Sequence, residues 1–197
     1  MLSVKPYLVA KRILDFILSL IGLVILSPLL LIICLLIKLD SKGPVFFTQE
    51  RLGYNGKIFR IYKFRTMVDG AINMGSGLFT NEADPRITRV GSFLRKTSLD
   101  EIPQLINVLR GEMSWVGPRP PVPYHPYKYE DYQGDQKIRF TVLPGITGYA
   151  QISGRNKLDW NERINLDVKY AKNQSIFLDI RIMFKTIQIV FLKDGIY

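Results

Sequence analysis

Residues 13–39 form an apolar run of 27 residues in which only Asp15 and Lys38, near its two ends, are charged. The hydrocarbon core of a bilayer is roughly 30 Å thick and takes about 20 apolar residues as helix, so this run is long enough to span it. It is too long for the apolar stretch of a cleaved signal peptide, and no small-residue cleavage site follows it. A buried helix of a soluble core is the ordinary alternative, but the stretch is apolar on every face, as a membrane segment is. The chain therefore divides into a membrane anchor, residues 1–42, and a head, residues 43–197.

Ser27-Pro28 stands near the middle of the run. Proline cannot donate to the carbonyl of Val24 and its ring crowds that carbonyl, so the helix is expected to kink or break there. The Ser27 hydroxyl can relieve a backbone carbonyl nearby, where no water is available. Split at that point, the two pieces reach only about 22 and 16 Å at 1.5 Å per residue, too short to span singly. Lys5, Lys11 and Arg12 precede the run, and Lys38, Lys42, Arg51 and Lys57 follow it. Cations at both ends favour keeping both ends on the cytoplasmic side. A helix-break-helix that dips in and returns satisfies both; a proline-kinked spanning helix satisfies one. The re-entrant form is the favoured expectation.

Residues 175–197 repeat apolar side chains at helical spacing (Ile176, Phe177, Ile180, Met183, Phe184, Ile187, Phe191), with Arg181, Lys185 and Lys193 as cations. This reads either as an amphipathic core helix or as a helix lying on lipid headgroups. With 27 Lys and Arg against 17 Asp and Glu, the net charge of +10 points to an anionic partner. One Cys and one His exclude an internal disulfide and the usual zinc ligand sets, and leave a Ser-His-Asp triad dependent on His125 alone.

The head reads as mixed and mostly helical, an α+β arrangement with short strands and amphipathic interfacial helices. Residues 45–47 and 57–64 are apolar-aromatic runs bounded by glycines and predict strands. The glycine-bearing residues 65–85 predict a mobile loop. Residues 89–96 predict a short helix with Val90, Phe93 and Leu94 on one face, and residues 99–110 a longer one with Ile102, Leu105, Ile106 and Leu109 buried. Pro144-Gly145 fits a type II turn. Asp159 with Glu162 opens a helix expected to bury Trp160, Ile164 and Val168.

No standard phosphate loop is present, since the turn at Gly53 and Gly56 lacks the Walker spacing. Asp100 and Glu101 are the carboxylates that stand out. Ser98 and Glu101 match a capping box, in which case the acids only favour the helix start. Pro103 fits better if Asp100 is the cap, because its missing N–H then falls in the first turn. Arg86, Arg89, Arg95 and Lys96 precede the pair, and acids amid cations also suit Mg²⁺ and phosphate handling. Arg119 is held between Pro118 and Pro120, Arg155 lies between Gly154 and Asn156, and Lys63 and Arg65 flank Phe64. Cations in such confined contexts make a polyphosphate site credible.

Taken together these segments resemble the bacterial sugar transferase family, the monotopic phosphoglycosyl transferases, in its small form. The likeness covers nearly the whole chain: Lys11, Arg12 and Asp15; Ser27-Pro28; Gly43, Pro44 and Val45 with Gln49 and Arg51; residues 62–67; Asp84 to Arg86. It continues through residues 94–105, residues 107–109, Val116 to Pro120, residues 144–148 and Gly154 to Asn156. The resemblance implies transfer of a sugar 1-phosphate from a UDP-sugar to undecaprenyl phosphate with release of UMP. It further implies Asp100 as nucleophile, Glu101 as its partner carboxylate, and Mg²⁺ bridging Asp100 and the diphosphate. Lys63, Arg95, Arg119 and Arg155 fall on its basic positions and would hold phosphates. The anchor would be re-entrant, broken at Ser27-Pro28, and the head would sit on the cytoplasmic face of the bacterial inner membrane among bilayer lipids.

Two rival readings differ in their tests. A membrane-anchored nucleic-acid binder would explain the charge, but no stacking module is legible and the acids are left unexplained, so no nucleic acid is expected as partner. A direct glycosyltransferase would release UDP instead of UMP. The sugar, the glycan and the oligomeric state, a dimer included, are left open, and residues 122–136 match no function.

Overall fold

The computed structural model describes residues 6–75, 77, 84–154 and 157–192. A long helix, α1 (Pro6–Asp40), is followed by strands β1 (Phe46–Leu52) and β2 (Ile58–Phe64) and helix α2 (Arg89–Thr97). A 3₁₀ segment (Leu99–Gln104) leads into α3 (Leu105–Arg110), then come strands β3 (Ser114–Val116) and β4 (Gly145–Thr147). Helices α4 (Tyr149–Ser153), α5 (Trp160–Asn173) and α6 (Ile176–Leu192) close the order. The protein is mostly helical, as expected.

The anchor differs from expectation at one point. Helix α1 is a single 35-residue element with Pro28 inside it, not two helices separated by a break. The reason is local. Ser27 Oγ donates to Val24 O at 2.8 Å, which is the carbonyl that Pro28 leaves without an N–H, so the ladder is repaired where it would have failed. Among the described residues this is the one helix long and apolar enough to cross a membrane.

Both ends of α1 dock on the head. Near its start, Lys11 pairs with Asp179 of α6 at 2.7 Å, and Arg12 donates to the last carbonyls of α3, Val108 O at 2.6 Å and Leu109 O at 3.0 Å. Those carbonyls form the negative end of α3, where Val108 O accepts also from the Gly111 N–H at 3.0 Å, so a guanidinium suits them. One turn on, Asp15 accepts from the Trp115 backbone N–H, and the Trp115 indole donates to Ser19. Near its other end Ile33 and Ile37 share a core with Phe64 and Leu94. Elsewhere α1 stays bare, with Val24, Ile25, Leu31 and Leu39 each more than 60 % exposed.

Strands β1 and β2 pair antiparallel from Phe46 opposite Phe64 to Leu52 opposite Ile58. Strands β3 and β4 pair in parallel. Gly145 opens β4 and does not make the expected type II turn; its φ is not in the left-handed region. Glycine is needed there for closeness instead: a Cβ would fall 2.1 Å from the Gly117 nitrogen. The helix expected over residues 99–110 is split, its first part 3₁₀, and this rotates the buried face to Leu105, Asn107 and Val108. Phe93 and Trp160, expected in the core, are 60 % and 37 % exposed. Helix α6 buries Ile182 but turns Phe177, Ile180, Phe184 and Ile187 outward, so most of its apolar stripe does not serve the core.

Candidate active site

The end of β2, the last turn of α2, the 3₁₀ segment and the loop after β3 converge on Asp100 and Glu101. Helix α2 ends at Ser98, which takes a left-handed conformation (φ 57°) and starts the 3₁₀ segment at once. The tight reversal lays the acids against β2. The capping reading fails here: no side chain caps the 3₁₀ segment, and Ser98 serves as its corner. The cap sequence reasoning missed is Thr88, whose hydroxyl accepts from the Gly91 N–H at the start of α2.

Glu101 is held by two cations on one oxygen. Lys63 Nζ lies 2.5 Å from Oε1 and Arg119 Nη2 lies 2.8 Å from the same atom. Burial pushes this carboxyl up, but the charges of Arg119 and Lys63 outweigh it and hold Glu101 well below the usual range. Asp100 is the opposite case. Lys63 is 4.0 Å from its Oδ2, and the carboxylate accepts no hydrogen bond from the described residues although its side chain is only 13 % exposed. Burial raises Asp100 above the ordinary aspartate value, Glu101 adds to that, and Lys63, Arg95 and Arg119 pull partly against it. A buried carboxylate without a hydrogen bond is costly to keep, and such groups gather at reactive sites.

Of the residues expected from sequence, Lys63, Arg119, Asp100 and Glu101 therefore come together. Arg95 acts on Asp100 through its charge while its Nε donates to Thr66 Oγ1 at 3.0 Å. Arg65, singled out beside Phe64, turns the other way and donates to Ser41. Ser27 and Pro28 lie within α1, away from this cluster. Arg155 lies outside the described residues. Among the described residues there is no group of three or more His, Cys, Asp or Glu able to hold a metal. Glu101 is spoken for by its cations. Asp100 accepts no hydrogen bond from the described residues, and that suits a Mg²⁺ that takes one carboxylate and completes its shell with substrate phosphate and water.

The match to known proteins is broad. The family model described as bacterial sugar transferase matches residues 6–193. The chain belongs to the bacterial sugar transferase family. It is 45 % identical over 186 residues to the "Undecaprenyl-phosphate glucose phosphotransferase" of Komagataeibacter xylinus, covering 90 % of this chain and 35 % of that protein. It is 41 % identical over 201 residues to the "Undecaprenyl-phosphate galactose phosphotransferase" of Salmonella typhimurium, covering 95 % and 41 %. It is 41 % identical over 202 residues to the "Exopolysaccharide production protein ExoY" of Rhizobium meliloti, covering 95 % and 88 %. The chain thus spans less than half of the two phosphotransferases and most of the ExoY protein.

Proposed function

We propose that this sugar transferase moves a sugar 1-phosphate from a UDP-sugar to undecaprenyl phosphate, releasing UMP, as a membrane step in surface glycan assembly. The observation that carries the reading is Asp100: a largely buried carboxylate with no hydrogen bond from the described residues, beside a second carboxylate already neutralised by Lys63 and Arg119. In the first step an Asp100 oxygen forms a bond to the sugar-bearing phosphorus, and the bond from that phosphorus to the UMP oxygen breaks, so UMP leaves with the electron pair. In the second, an oxygen of undecaprenyl phosphate bonds to the same phosphorus and the bond to Asp100 breaks. The product is the undecaprenyl diphosphate sugar and the carboxylate is restored. Splitting the transfer lets one small site serve two anionic substrates in turn.

The chain's own charges make the attack feasible. An anionic nucleophile approaching a diphosphate needs preorganised positive charge around it, which Lys63, Arg95 and Arg119 supply. Arg119 offers a planar fork suited to phosphate oxygens. A Mg²⁺ held by Asp100 would neutralise further charge on the diphosphate. The docking of both ends of α1 on one head, with the middle exposed, supports the re-entrant reading, because a straight span would carry one end away to the far side. Outward Phe177, Ile180, Phe184 and Ile187 on α6 support contact with lipid, which would hold the site at headgroup depth on the cytoplasmic face.

The test is to incubate the protein with Mg²⁺ and a panel of UDP-sugars without acceptor, then measure UMP and the intact protein mass. The right donor should release UMP and leave a phosphosugar adduct on Asp100, absent in Asp100→Asn. Active wild type without adduct, together with an Asp100→Asn variant that still turns over, overturns the covalent route. One relative, 46 % identical, is named "Galactosyl transferase CpsE". Release of UDP instead of UMP would decide for transfer of the sugar without its phosphate.

A further inference from the structure

Residues 118–121 contain three prolines and hence one backbone N–H, so the loop that presents Arg119 cannot build its own hydrogen-bond ladder. All four of its carbonyls are nevertheless taken, two by adjacent residues of β1 and the others by Arg139 and by Gly145 of β4. Pro118 O accepts from Gly145 N at 2.9 Å and Pro121 O from Leu52 N at 2.9 Å. Arg119 O accepts from Arg139 Nη2 at 3.0 Å, and Pro120 O from Arg51 Nη1 at 2.9 Å. Two guanidiniums thus grip the carbonyls of Arg119 itself and of the proline that follows it.

Neither guanidinium is arranged for stability alone. Arg139 and Asp167 form an ion pair of 2.6 Å, 3 % and 2 % exposed, yet Arg139 Nε and Asp167 Oδ1 have no hydrogen-bond partner among the described residues. Arg51 is held by Gln49 at 2.6 Å, and its buried Nε also has no hydrogen-bond partner among the described residues. A half-satisfied buried charge pair is no better for folding than apolar residues of the same volume. Burial, then repulsion from Arg119, lower Arg51 to about 10, a further cost. Arg139 Nη1 donates to the Tyr132 hydroxyl at 3.2 Å and its guanidinium packs against the Phe140 ring, so Tyr132, from the Tyr- and Pro-rich stretch before it, helps to fix this side chain.

We propose that Arg51 and Arg139 are positioning residues that hold the Arg119 guanidinium on Glu101, with Asp167 acting through Arg139. The inference rests on the reading of Arg119 and Glu101 as part of the active site.

The test is a double-mutant cycle on UMP release, with amide hydrogen exchange beside it. Arg139→Met combined with Asp167→Leu replaces the pair by apolar side chains and leaves Arg119 O without its donor. Displacing a positioned group can cost about a hundredfold, so turnover is expected to fall by about ten- to a hundredfold in a folded protein. In an Arg119→Lys background the same change should cost no more than about threefold, because the residues act through one fork. Exchange at the Leu52 and Gly145 amides, which hold the same loop, should quicken. Losses that multiply across the cycle, or unchanged exchange at both amides, overturn the proposal. If the paired variant does not fold, Arg51→Met, at a less buried position, is judged by the same two readouts. Wild type that releases no UMP overturns the activity reading, and the exchange measurement then decides the loop alone.

Discussion

The Lys63 ammonium lies 2.5 Å from Glu101 and 4.0 Å from Asp100, so one lysine divides two adjacent carboxylates into a hydrogen-bonded acid and one held only by a longer ion pair. Sequence order alone makes Asp100 and Glu101 equivalent neighbours. The 3₁₀ geometry separates them, turning Glu101 toward Lys63 and Arg119 and leaving Asp100 with no hydrogen bond from the described residues. Lys63→Met should therefore lower turnover by about a hundredfold while leaving the fold intact, since preorganised charge of this kind is worth that much. UMP release and circular dichroism check both halves. A loss of less than about threefold would mean that Arg119 alone suffices for Glu101.

Asp100 also makes a stability prediction. Its folded pKa is raised, mainly by burial, so the folded protein prefers the protonated form. As pH rises from the ordinary aspartate value of 3.8 through the raised folded value, ionisation costs stability. Asp100→Asn removes that cost. With divalent cations chelated, the variant should melt above wild type at neutral pH, and the difference should vanish once the pH falls below the unfolded value. A variant less stable than wild type at neutral pH would show that the carboxylate supports the fold after all.

Topology can be read by labelling. In a Cys34→Ala background, cysteines placed at Leu8 and at Lys42 should both resist a membrane-impermeant reagent applied from outside intact cells, because cations flank the apolar run at both ends. Labelling at one of the two positions would establish a spanning helix. Ser27→Ala removes the hydroxyl that repairs the ladder at Val24 O and should shift the balance between the two forms.

Asp179 joins three helices, accepting from Tyr7 at 2.7 Å, Lys11 at 2.7 Å and Tyr170 at 2.7 Å while only 8 % exposed. Asp179→Ala would leave the Lys11 ammonium buried and unpaired, which typically costs about 3–5 kcal/mol. Thermal unfolding should register this, and Lys11→Met in the same chain should recover part of the loss.

What could be read from sequence follows the range of the forces involved. The capping box at Asp159 and Glu162 is local and is found as expected, each side chain accepting from the other's backbone N–H at 2.8 and 2.9 Å. The repair at Ser27 is equally local, and only its result, a continuous helix, differs. Strand β1 was legible only at residues 45–47, because Gln49, Glu50 and Arg51 carry no apolar signal; they pair because β2 lies beside them. The parallel contact of β3 with β4 joins residues about 30 positions apart and has no local mark. Residue types and family motifs brought Lys63, Arg119, Asp100 and Glu101 forward, and they meet. Arg139 stayed hidden, since a lone arginine two residues from Lys137 looks like a surface charge until its burial with Asp167 is seen.

Arg119 and Lys172 offer a matched comparison of two cations. Each is about half exposed and each pairs with an acid, Arg119 with Glu101 at 2.8 Å and Lys172 with Asp135 at 2.5 Å. Exposed pairs of the Lys172 kind contribute roughly 0–1 kcal/mol, so Lys172→Ala should change neither melting nor turnover measurably. Arg119→Lys keeps the charge but loses the planar fork, and lysine's single ammonium cannot hold Glu101 and a phosphate oxygen in one fixed geometry. Its turnover should drop by about ten- to a hundredfold with little change in melting temperature. Steady-state UMP release on both variants is the measurement. Equal, mild effects at the two positions would reduce Arg119 to a residue that shapes its loop, and the rigid backbone around it would then need another reason.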